Sequence, residues 1–331
     1  MKKIFTDPVR TGKNICLRIP MCFMILLVFV TALEGCKGDS DEEEIIVTPP
    51  EEVVDNDVTD LTKKLIAGTG LIKKFKTDTL TPIAAGLSLT KLSYLDQTDM
   101  PVSMFILEAD LKNPKLTMQA LLPYNDYLNG LQRLSEMCRD NQKPLTKIMA
   151  AINGDFYNTA GLPDGYFYIE GFGLRTTRTT TSRSYFALMK DKTPVIGGLD
   201  PLTGTEVPGI SLANIQHAIG GRQWLVKDAQ LVPTIDFVLS ARTALGYTSD
   251  NIVYAVVVDG GQEEYSIGIG LGDLSKIMLT LGTTRAINLS GGTSSTMAVG
   301  SNTSNEWTVK NHHPKNLEAT IANGWGFVVA N

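Results

Sequence analysis

The stretch that decides the fold of this chain is Asn288-Leu289-Ser290-Gly291-Gly292-Thr293-Ser294-Ser295-Thr296-Met297. It follows two apolar residues, Ala286 and Ile287, which predict the end of a buried strand. The two adjacent glycines allow a sharp turn with positive φ, and the hydroxyl and N–H groups after them can line a concave polar surface. Such a surface suits an anion or a sugar.

Three other stretches have the same form, an apolar run that ends in polar residues. They are Ala151-Ile152-Asn153-Gly154-Asp155-Phe156-Tyr157, Ala241-Arg242-Thr243-Ala244-Leu245-Gly246 and Val256-Val257-Val258-Asp259-Gly260-Gly261-Gln262. A strand that delivers polar side chains at its end is a common way to place chemistry on a rigid element. The sequence therefore predicts that these stretches meet the glycine-rich turn around one pocket.

In this order the four stretches resemble the motifs of the phosphodiester glycosidase family. That family typically shows Asn-Gly-x-Phe-Phe, then Arg-Thr-Ala-x-Gly, then Asp-Gly-Arg/Gly-Gln, and finally Asn-Leu-Asp-Gly-Gly-Gly-Ser-Ser-Thr-Met. The resemblance covers residues 87–329. It implies a hydrolase that cleaves sugar-1-phosphodiester linkages, such as those of N-acetylglucosamine (GlcNAc) phosphodiesters. The implied partner is a phosphorylated glycan or a sugar phosphodiester.

Some positions depart from the family pattern. Ser290 stands where the family usually has Asp, and Thr293 where it usually has a third Gly. Near the C-terminus the family tends to show Asn-x-Pro-Ser-Asp and then an Arg. Here Asn311 and Pro314 match, whereas Glu318-Ala319 occupies the Arg position. These departures keep a second function open, namely a non-catalytic glycan- or phosphoglycan-binding lipoprotein on the same scaffold.

Three charged side chains are candidates for catalysis. Arg242 is predicted to clamp the phosphate, because a guanidinium meets phosphate oxygens two at a time. A surface ion pair is the alternative for this residue. Asp259 is predicted to be the carboxylate at the anomeric centre, as nucleophile, base or stabiliser, and a turn-forming Asp is its alternative. Asp155 is the second candidate carboxylate, or else a residue of an Asx turn.

The remaining site candidates are neutral side chains and glycines that can bond sugar hydroxyls, an acetamido group or phosphate oxygens. They are Asn153, Thr243, Gln262, Asn288, Ser290, Gly291, Gly292, Ser294, Ser295 and Asn311. The two strand-end amides, Asn153 and Asn288, could equally tie strand ends together. The sequence predicts neither a cofactor nor a metal.

Other chemistries fit the sequence less well. The glycine-rich stretch is neither a Gly-x-Ser-x-Gly nucleophile elbow nor a phosphate loop that ends in Gly-Lys-Ser/Thr. His312 and His313 are adjacent in a predicted extended segment, where their side chains point apart and no third ligand is evident. They are predicted to be solvated loop residues rather than metal ligands.

The first 35 residues predict a secretory signal peptide. Five basic residues precede a short apolar run over 21–30, and Leu33-Glu34-Gly35 leads to Cys36. Cys36 is therefore predicted to carry a lipid that anchors the exported protein in the bacterial cell envelope, at the outer membrane. An uncleaved anchor is the alternative, because a small or apolar residue is preferred at the position of Glu34.

The four cysteines do not predict a disulfide framework. Cys16 and Cys22 leave with the signal peptide, Cys36 would be acylated, and only Cys138 remains. Cys138 lies on a predicted helix, and we expect it to be a small buried hydrophobic residue rather than a nucleophile.

Acidic residues concentrate in residues 36–60, which are predicted to form a disordered tether. Ten acidic side chains lie between Asp39 and Asp60, together with Pro49-Pro50 and little apolar content. An acidic run after a lipoprotein cysteine resembles the export signal of surface-displayed lipoproteins, and a solvated spacer is the alternative. Residues 61–331 carry 24 basic and 23 acidic side chains, so no basic field for nucleic acid is present.

Residues 61–331 are predicted to form one phosphodiester glycosidase-like domain of the α+β class, with 61–145 as a candidate N-terminal lobe. Strand-like runs over 89–95, 102–110 and 116–122 predict an antiparallel sheet. Apolar residues at helical spacing predict one helix over 127–141, lying on that sheet, and a second over 271–282. The strands cluster without a βαβ rhythm, so a doubly wound sheet is not expected.

A polar tract follows the first of the four stretches in chain order, residues 151–157. Residues 176–184 are nearly all Thr, Ser and Arg. They predict either a mobile rim over the site or an ordinary exposed hairpin.

Overall fold

A computed structural model describes residues 58–234 and 236–330, which belong to one compact unit. The predicted signal peptide, Cys36 and most of the predicted tether lie outside the described residues. The described elements are α1 (Asp60–Thr69), β1 (Lys74–Ala84), β2 (Leu87–Leu95), β3 (Pro101–Asp110), β4 (Leu116–Leu121), β5 (Gln132–Arg133), α2 (Leu134–Asp140), β6 (Thr146–Asn153), β7 (Phe167–Ile169), β8 (Phe172–Arg175), β9 (Ser184–Met189), β10 (Pro194–Gly198), β11 (Ile215–Gly221), β12 (Trp224–Lys227), β13 (Gln230–Leu231), β14 (Arg242–Tyr247), β15 (Ile252–Val258), α3 (Leu271–Leu281), β16 (Arg285–Asn288), β17 (Met297–Gly300), β18 (Trp307–Val309), β19 (Thr320–Ile321) and β20 (Gly324–Ala330).

The strands form three main sheets. An eight-stranded sheet has the order β1-β2-β3-β15-β14-β16-β12-β13, and two five-stranded sheets have the orders β10-β9-β11-β7-β8 and β18-β17-β6-β20-β4. Neighbouring strands in the eight-stranded sheet run antiparallel. The α+β class is therefore confirmed, and so is the antiparallel pairing of the first two predicted strands, β2 and β3. The third, β4, pairs with β20 in a different sheet, so its predicted place is wrong.

Side-chain alternation along β15 shows how the layers stack. Val253, Ala255 and Val257 pack into a core that also contains residues of β6, β9 and β20 from the two smaller sheets. Val256 and Val258 point the other way, into a core that contains residues of α3. Because successive strand residues face opposite sides, the eight-stranded sheet is covered by sheets on one face and by helices on the other.

Helix α3 matches the predicted second helix. Leu271, Leu274, Met278 and Leu281 recur at helical spacing and are buried against the eight-stranded sheet. The helix ends at Gly282, whose φ of 95° lies in the left-handed region that glycine adopts without strain.

The first predicted helix is shorter than expected and lies on the sheet that contains β4. Only Leu134–Asp140 is helical, and Leu128 is 74% exposed in the loop before it. Asn129 and Gly130 favour a loop over a helix, which explains the late start. Its buried residues, including Cys138, pack with residues of β4, β6, β17 and β20. The burial of Cys138 is therefore confirmed, and of the three strands in the predicted sheet only β4 shares this core.

The region 61–145 does not stand apart as a lobe. Strands β1, β2 and β3 continue directly into β15 and β14 within one sheet, and α1 packs beside α3 on the same face. In the part of the chain that the structure describes, no helix has the length and apolar character needed to cross a membrane.

Candidate active site

A cavity of about 210 Å³ lies where the ends of β14 and β15 meet two loops. Its walls come from residues 239–241, 259–261, 292–293 and 311–314, together with Ser295. Three of the four sequence stretches thus contribute to this cavity. The fourth, which contains Asn153 and Asp155, does not line it, and neither does the polar tract 176–184, which forms a loop between β8 and β9.

Asp259 follows the last residue of β15 and is held firmly at the cavity wall. Its Oδ1 accepts a hydrogen bond from Asn311 Nδ2 at 3.0 Å. Its Oδ2 accepts from the His312 N–H at 2.9 Å and from the Tyr265 hydroxyl at 3.1 Å. The backbone is fixed as well, since Ser266 Oγ donates to the Asp259 carbonyl at 2.7 Å. The carboxylate is therefore oriented by three groups from two segments, Tyr265 on one and Asn311 and His312 on the other.

Burial raises the pKa of the Asp259 carboxyl, and the hydrogen bonds from His312, Asn311 and Tyr265 oppose that shift only in part. A raised carboxyl pKa brings the group closer to the range in which a general base works at neutral pH. Asp259 thus combines a fixed orientation with a raised carboxyl pKa.

The glycine-rich turn forms the opposite wall. The Gly292 N–H donates to the Ala241 carbonyl at 2.8 Å, and its φ of 62° lies in the left-handed region. A Cβ at Gly291 would lie 2.9 Å from the same carbonyl oxygen, so both glycines are required for this close approach. Ser295 Oγ is buried and has no hydrogen-bond partner among the described residues, which leaves a donor beside the cavity.

Asn311, His312 and His313 complete the site, and the sequence analysis predicted only the first of them. Asn311 donates to Asp259 and to the Ser295 carbonyl, and its Oδ1 accepts from the Met297 N–H at 2.8 Å. His313 lines the cavity and its Nε2 lies 3.2 Å from Thr296 Oγ1. Burial lowers the pKa of His313, so its imidazole is neutral near pH 7.

The prediction that His312 and His313 are merely solvated is wrong for His313, which is buried, and incomplete for His312. The ring of His312 contacts the side chain of Gln262 and lies edge-on to Tyr265. Gln262 also donates to the His312 carbonyl at 3.1 Å, so this predicted site residue supports the loop of His312. The match of Asn311 and Pro314 to the family pattern was the available signal, because it brackets both histidines.

Arg242 does not point into the cavity. Its Nη2 donates to the Val238 carbonyl at 2.8 Å and pairs with Asp236 at 3.3 Å, and its Nε donates to the Ile269 carbonyl at 3.3 Å. Arg242 is paired with Val258 across the two strands, so it faces the helical side of the sheet. The structure therefore does not bring the Arg242 guanidinium together with Asp259 as the predicted phosphate clamp requires.

Asp155 is buried at a distance from the cavity lining. Its Oδ2 accepts from the Gly165 N–H at 2.6 Å and its Oδ1 from the Phe156 N–H at 2.8 Å. A Cβ at Gly220 would lie 2.5 Å from Asp155 Oδ2. Neither bond is the contact to the second residue onward that defines an Asx turn, and Asp155 does not line the cavity as a second carboxylate.

Asn153 ties three elements together beneath the cavity. Its Nδ2 donates to the Ser290 carbonyl at 2.6 Å, and its Oδ1 accepts from Thr243 Oγ1 at 2.8 Å and from the Thr296 N–H at 3.0 Å. All of these groups are buried. Asn153 and Thr243 therefore hold the glycine-rich stretch against β6 and β14 instead of facing the cavity.

The remaining candidates also lie around the cavity rather than in it. Asn288 is buried and donates to Gln223 Oε1 at 3.0 Å. Ser294 Oγ lies 3.0 Å from the Tyr157 hydroxyl, and the Ser290 N–H donates to the Gly154 carbonyl at 3.0 Å. Of the predicted substrate-binding residues, Gly292, Ser295 and Asn311 line the cavity directly; roles in catalysis stay predictions for all of them.

In the two described ranges, no group of three or more His, Cys, Asp or Glu side chains is arranged to hold a metal ion. The polar groups at the cavity are one carboxylate, two histidines, an amide and hydroxyls. Such a set can orient a neutral or anionic ligand through hydrogen bonds and can stabilise one positive centre beside Asp259.

Comparison with known proteins identifies a family for the chain. The sequence profile described as phosphodiester glycosidase matches residues 146–328. A comparison with curated proteins found no match.

Solved structures share the fold. The catalytic domain of zebrafish N-acetylglucosamine-1-phosphodiester alpha-N-acetylglucosaminidase, auto-inhibited by its pro-peptide, aligns with a TM-score of 0.55 at 17% identity, covering 78% of this chain and 88% of that one. A hypothetical protein from Synechocystis aligns with a TM-score of 0.57 at 13% identity, covering 77% of this chain and 64% of that one, so the chain spans less than two thirds of that structure. Since the profile covers more than half of the sequence, the chain belongs to the phosphodiester glycosidase family.

Proposed function

We propose that the protein is an exported, lipid-anchored glycosidase that hydrolyses sugar-1-phosphodiester linkages, with GlcNAc phosphodiesters as the first substrates to test. Family membership supports a hydrolase that acts on a phosphodiester-linked sugar. The observation that carries the proposal is the placement of Asp259, a carboxylate oriented by three hydrogen bonds at the wall of the cavity.

The proposed reaction requires few catalytic groups besides such a carboxylate. Water adds its hydroxyl to the anomeric carbon, the bond from that carbon to the phosphate oxygen breaks, and the electron pair leaves with the phosphate. Because phosphate is a good leaving group, its oxygen needs little protonation. One carboxylate that stabilises positive charge at the anomeric carbon and accepts the proton of water is therefore sufficient, and the absence of Asp155 from the cavity is no obstacle.

The neutral groups of the cavity suit the sugar and its phosphate. The free Ser295 hydroxyl can donate to a substrate oxygen, and the neutral His313 imidazole adds a second polar group to the cavity wall. Buried donors held in place by the fold cost no reorganisation during the reaction, which is the basis of electrostatic catalysis.

Turnover of a GlcNAc-1-phosphodiester tests this proposal. We expect Asp259→Asn to lower kcat by roughly 10²- to 10³-fold, the size of one preorganised electrostatic contact in other enzymes. Asp273→Asn is the matched control, because the Asp273 side chain is 42% exposed on α3 and its ion pair among the described residues is with Lys276. No turnover by the unaltered protein at high concentration across pH, or an Asp259→Asn variant within threefold of it, would contradict the proposal.

Two observations favour the alternative of a glycan-binding protein. Both Asp259 oxygens already accept hydrogen bonds from the protein, and Ser290 replaces the Asp that is usual in the family. This alternative predicts measurable binding of the GlcNAc phosphodiester by calorimetry with no product formed. Product formation that depends on Asp259 rules it out.

The cellular part of the proposal rests on the sequence of residues 1–36. Cys36→Ala should move the protein from the membrane fraction of the cells to the soluble fraction, because the acyl chains on that cysteine would be its anchor. A variant that stays with the membranes to the same extent would show that the signal is retained or that another anchor exists.

A further inference from the structure

A second groove adjoins the Asp259 cavity and is about three times larger, with a volume of about 660 Å³. The two share Asn311, His312 and His313 as a common wall. A ligand that occupies the smaller cavity can therefore extend past this wall into the groove. The difference in volume makes the groove the side that accommodates the larger part of such a ligand.

The groove carries two lysines whose charges are available. Lys91 on β2 and Lys310 after β18 both line it and are exposed. Neither ammonium group forms an ion pair with any described residue, and Lys91 Nζ lies 5.7 Å from the centre of the Phe105 ring. A lysine ammonium is a mobile point charge that binds phosphate without a fixed geometry.

The one carboxylate in the groove wall is already engaged. Glu318 accepts hydrogen bonds from the Ser135 N–H at 2.9 Å and from Ser135 Oγ at 2.6 Å. The lining therefore has two cations against one anion whose oxygens are held by the protein. This balance favours an anionic ligand, although the domain as a whole is nearly neutral.

The two groove lysines supply the positive charge that the sequence analysis had assigned to Arg242. Arg242 is paired with Asp236 on the other face of the sheet, so it offers no free charge at the cavity. Lys91 lies outside the residues that the family profile matches, 146–328. The groove is thus built partly by a strand that precedes the family's region of sequence similarity.

We propose that this groove is an anion subsite for the leaving-group side of the substrate, and that the protein prefers sugar phosphodiesters whose leaving group carries further negative charge, such as a second phosphate. This inference rests on the proposed function for the reaction, but the binding of anions in the groove does not. The sugar would occupy the Asp259 cavity, and the phosphates would pass the wall of Asn311 and His312 toward Lys91 and Lys310.

The kinetic test compares two substrates with the same sugar. In the first substrate the leaving group is methyl phosphate, whose ester group is uncharged. In the second the leaving phosphate carries an ester group that bears a second phosphate. For the double variant Lys91→Ala/Lys310→Ala we expect KM for the second substrate to rise about tenfold, since a loss of 1.4 kcal/mol of binding is a factor of ten. We expect KM for the methyl substrate to change less than threefold and kcat to stay the same for both.

Matched controls separate a local from a general charge effect. Lys76→Ala/Lys112→Ala removes two exposed lysines outside the groove and should leave both KM values unchanged. The tenfold effect should also shrink in 0.5 M salt, because exposed charges are screened. Equal KM changes for the two substrates, or equal effects of the two double variants, would overturn the inference.

A binding experiment makes the outcome independent of catalysis. Calorimetry with inorganic pyrophosphate should show affinity that falls about tenfold in Lys91→Ala/Lys310→Ala and is retained in Lys76→Ala/Lys112→Ala. Pyrophosphate binding that is unaffected by the groove lysines would overturn the subsite even where turnover stands. Binding through these lysines in a protein without turnover would support the subsite and refute the proposed reaction instead.

Discussion

Replacing Arg242 distinguishes a phosphate clamp from a side chain that positions the cavity wall. Arg242→Ala removes the 2.8 Å bond to the Val238 carbonyl and two longer interactions, to the Ile269 carbonyl and to Asp236, both at 3.3 Å. A hydrogen bond from a charged donor contributes about 1.5–3 kcal/mol, and longer ones contribute less. With the Arg242 side chain 14% exposed, we expect the free energy of unfolding to fall by about 2–3 kcal/mol.

Urea unfolding followed by fluorescence measures this loss, and a comparison variant tests its origin. Asp236→Asn keeps both carbonyl bonds of Arg242 and should cost about 1 kcal/mol or less, as expected for a partly exposed ion pair. Arg133→Ala breaks an ion pair with Glu136 whose side chains are 48% and 37% exposed. It should change the free energy of unfolding by less than about 0.5 kcal/mol.

The affinity for inorganic phosphate distinguishes the two roles of Arg242, which unfolding measurements alone do not separate. If Arg242 only holds the loop before Ser240 in place, Asp236→Asn should leave the affinity for inorganic phosphate unchanged. If Arg242 is a clamp, Asp236→Asn should free its charge and tighten phosphate binding, whereas Arg242→Ala should weaken it. An Arg242→Ala variant of unaltered stability that has lost tenfold or more of its phosphate affinity would refute the positioning role.

Three further changes test the surroundings of the cavity. Asn153→Ala leaves three buried partners without their hydrogen bonds and should lower the free energy of unfolding by about 3–5 kcal/mol; a loss under about 1 kcal/mol in urea unfolding would contradict that role. Burial raises the pKa of Asp155 from 3.8 to about 7, so its protonation should stabilise the fold fully below pH 4, with a loss on the order of 4 kcal/mol as the pH rises through 7. The difference in unfolding free energy between the unaltered protein and Asp155→Asn should therefore change with pH, and a constant difference from pH 4 to 8 would disprove it. Ser290→Asp restores the family's usual carboxylate and should raise kcat on a GlcNAc phosphodiester about tenfold or more; a change in KM alone would indicate ground-state contacts only.

The strands and the second helix could be predicted because their signals are local. Apolar runs bounded by turn residues define β2, β3 and β15, and helical spacing with a terminal glycine defines α3. The first helix was overextended because Leu128 and Leu131 continue the helical spacing of Leu134 and Met137. Spacing alone does not reveal that Asn129 and Gly130 interrupt it, nor which sheet the helix covers.

The glycine-rich turn could also be predicted from a local signal, because a sharp turn with positive φ favours its two adjacent glycines. The contribution of His313 could not, because a histidine beside a proline in a loop has no local feature that predicts burial. Its position depends on Asn311, which bonds both Asp259 and the Ser295 carbonyl and so draws the whole segment onto the cavity. The family match of Asn311 and Pro314 points to the segment, but only the spatial meeting of two distant loops shows that His313 lines the cavity.

The orientation of Arg242 follows from a strand register that the sequence does not contain. Arg242 lies opposite Val258 in the antiparallel pair, and directly paired residues project to the same face of a sheet. Val258 packs among the residues of α3, so Arg242 projects to the helical face as well. Asp259 is one residue further and points the other way, toward Asn311. A shift of the register by one residue would put Arg242 and Asp259 on one face. The predicted clamp therefore depended on a strand register that the sequence does not specify and that the structure does not have.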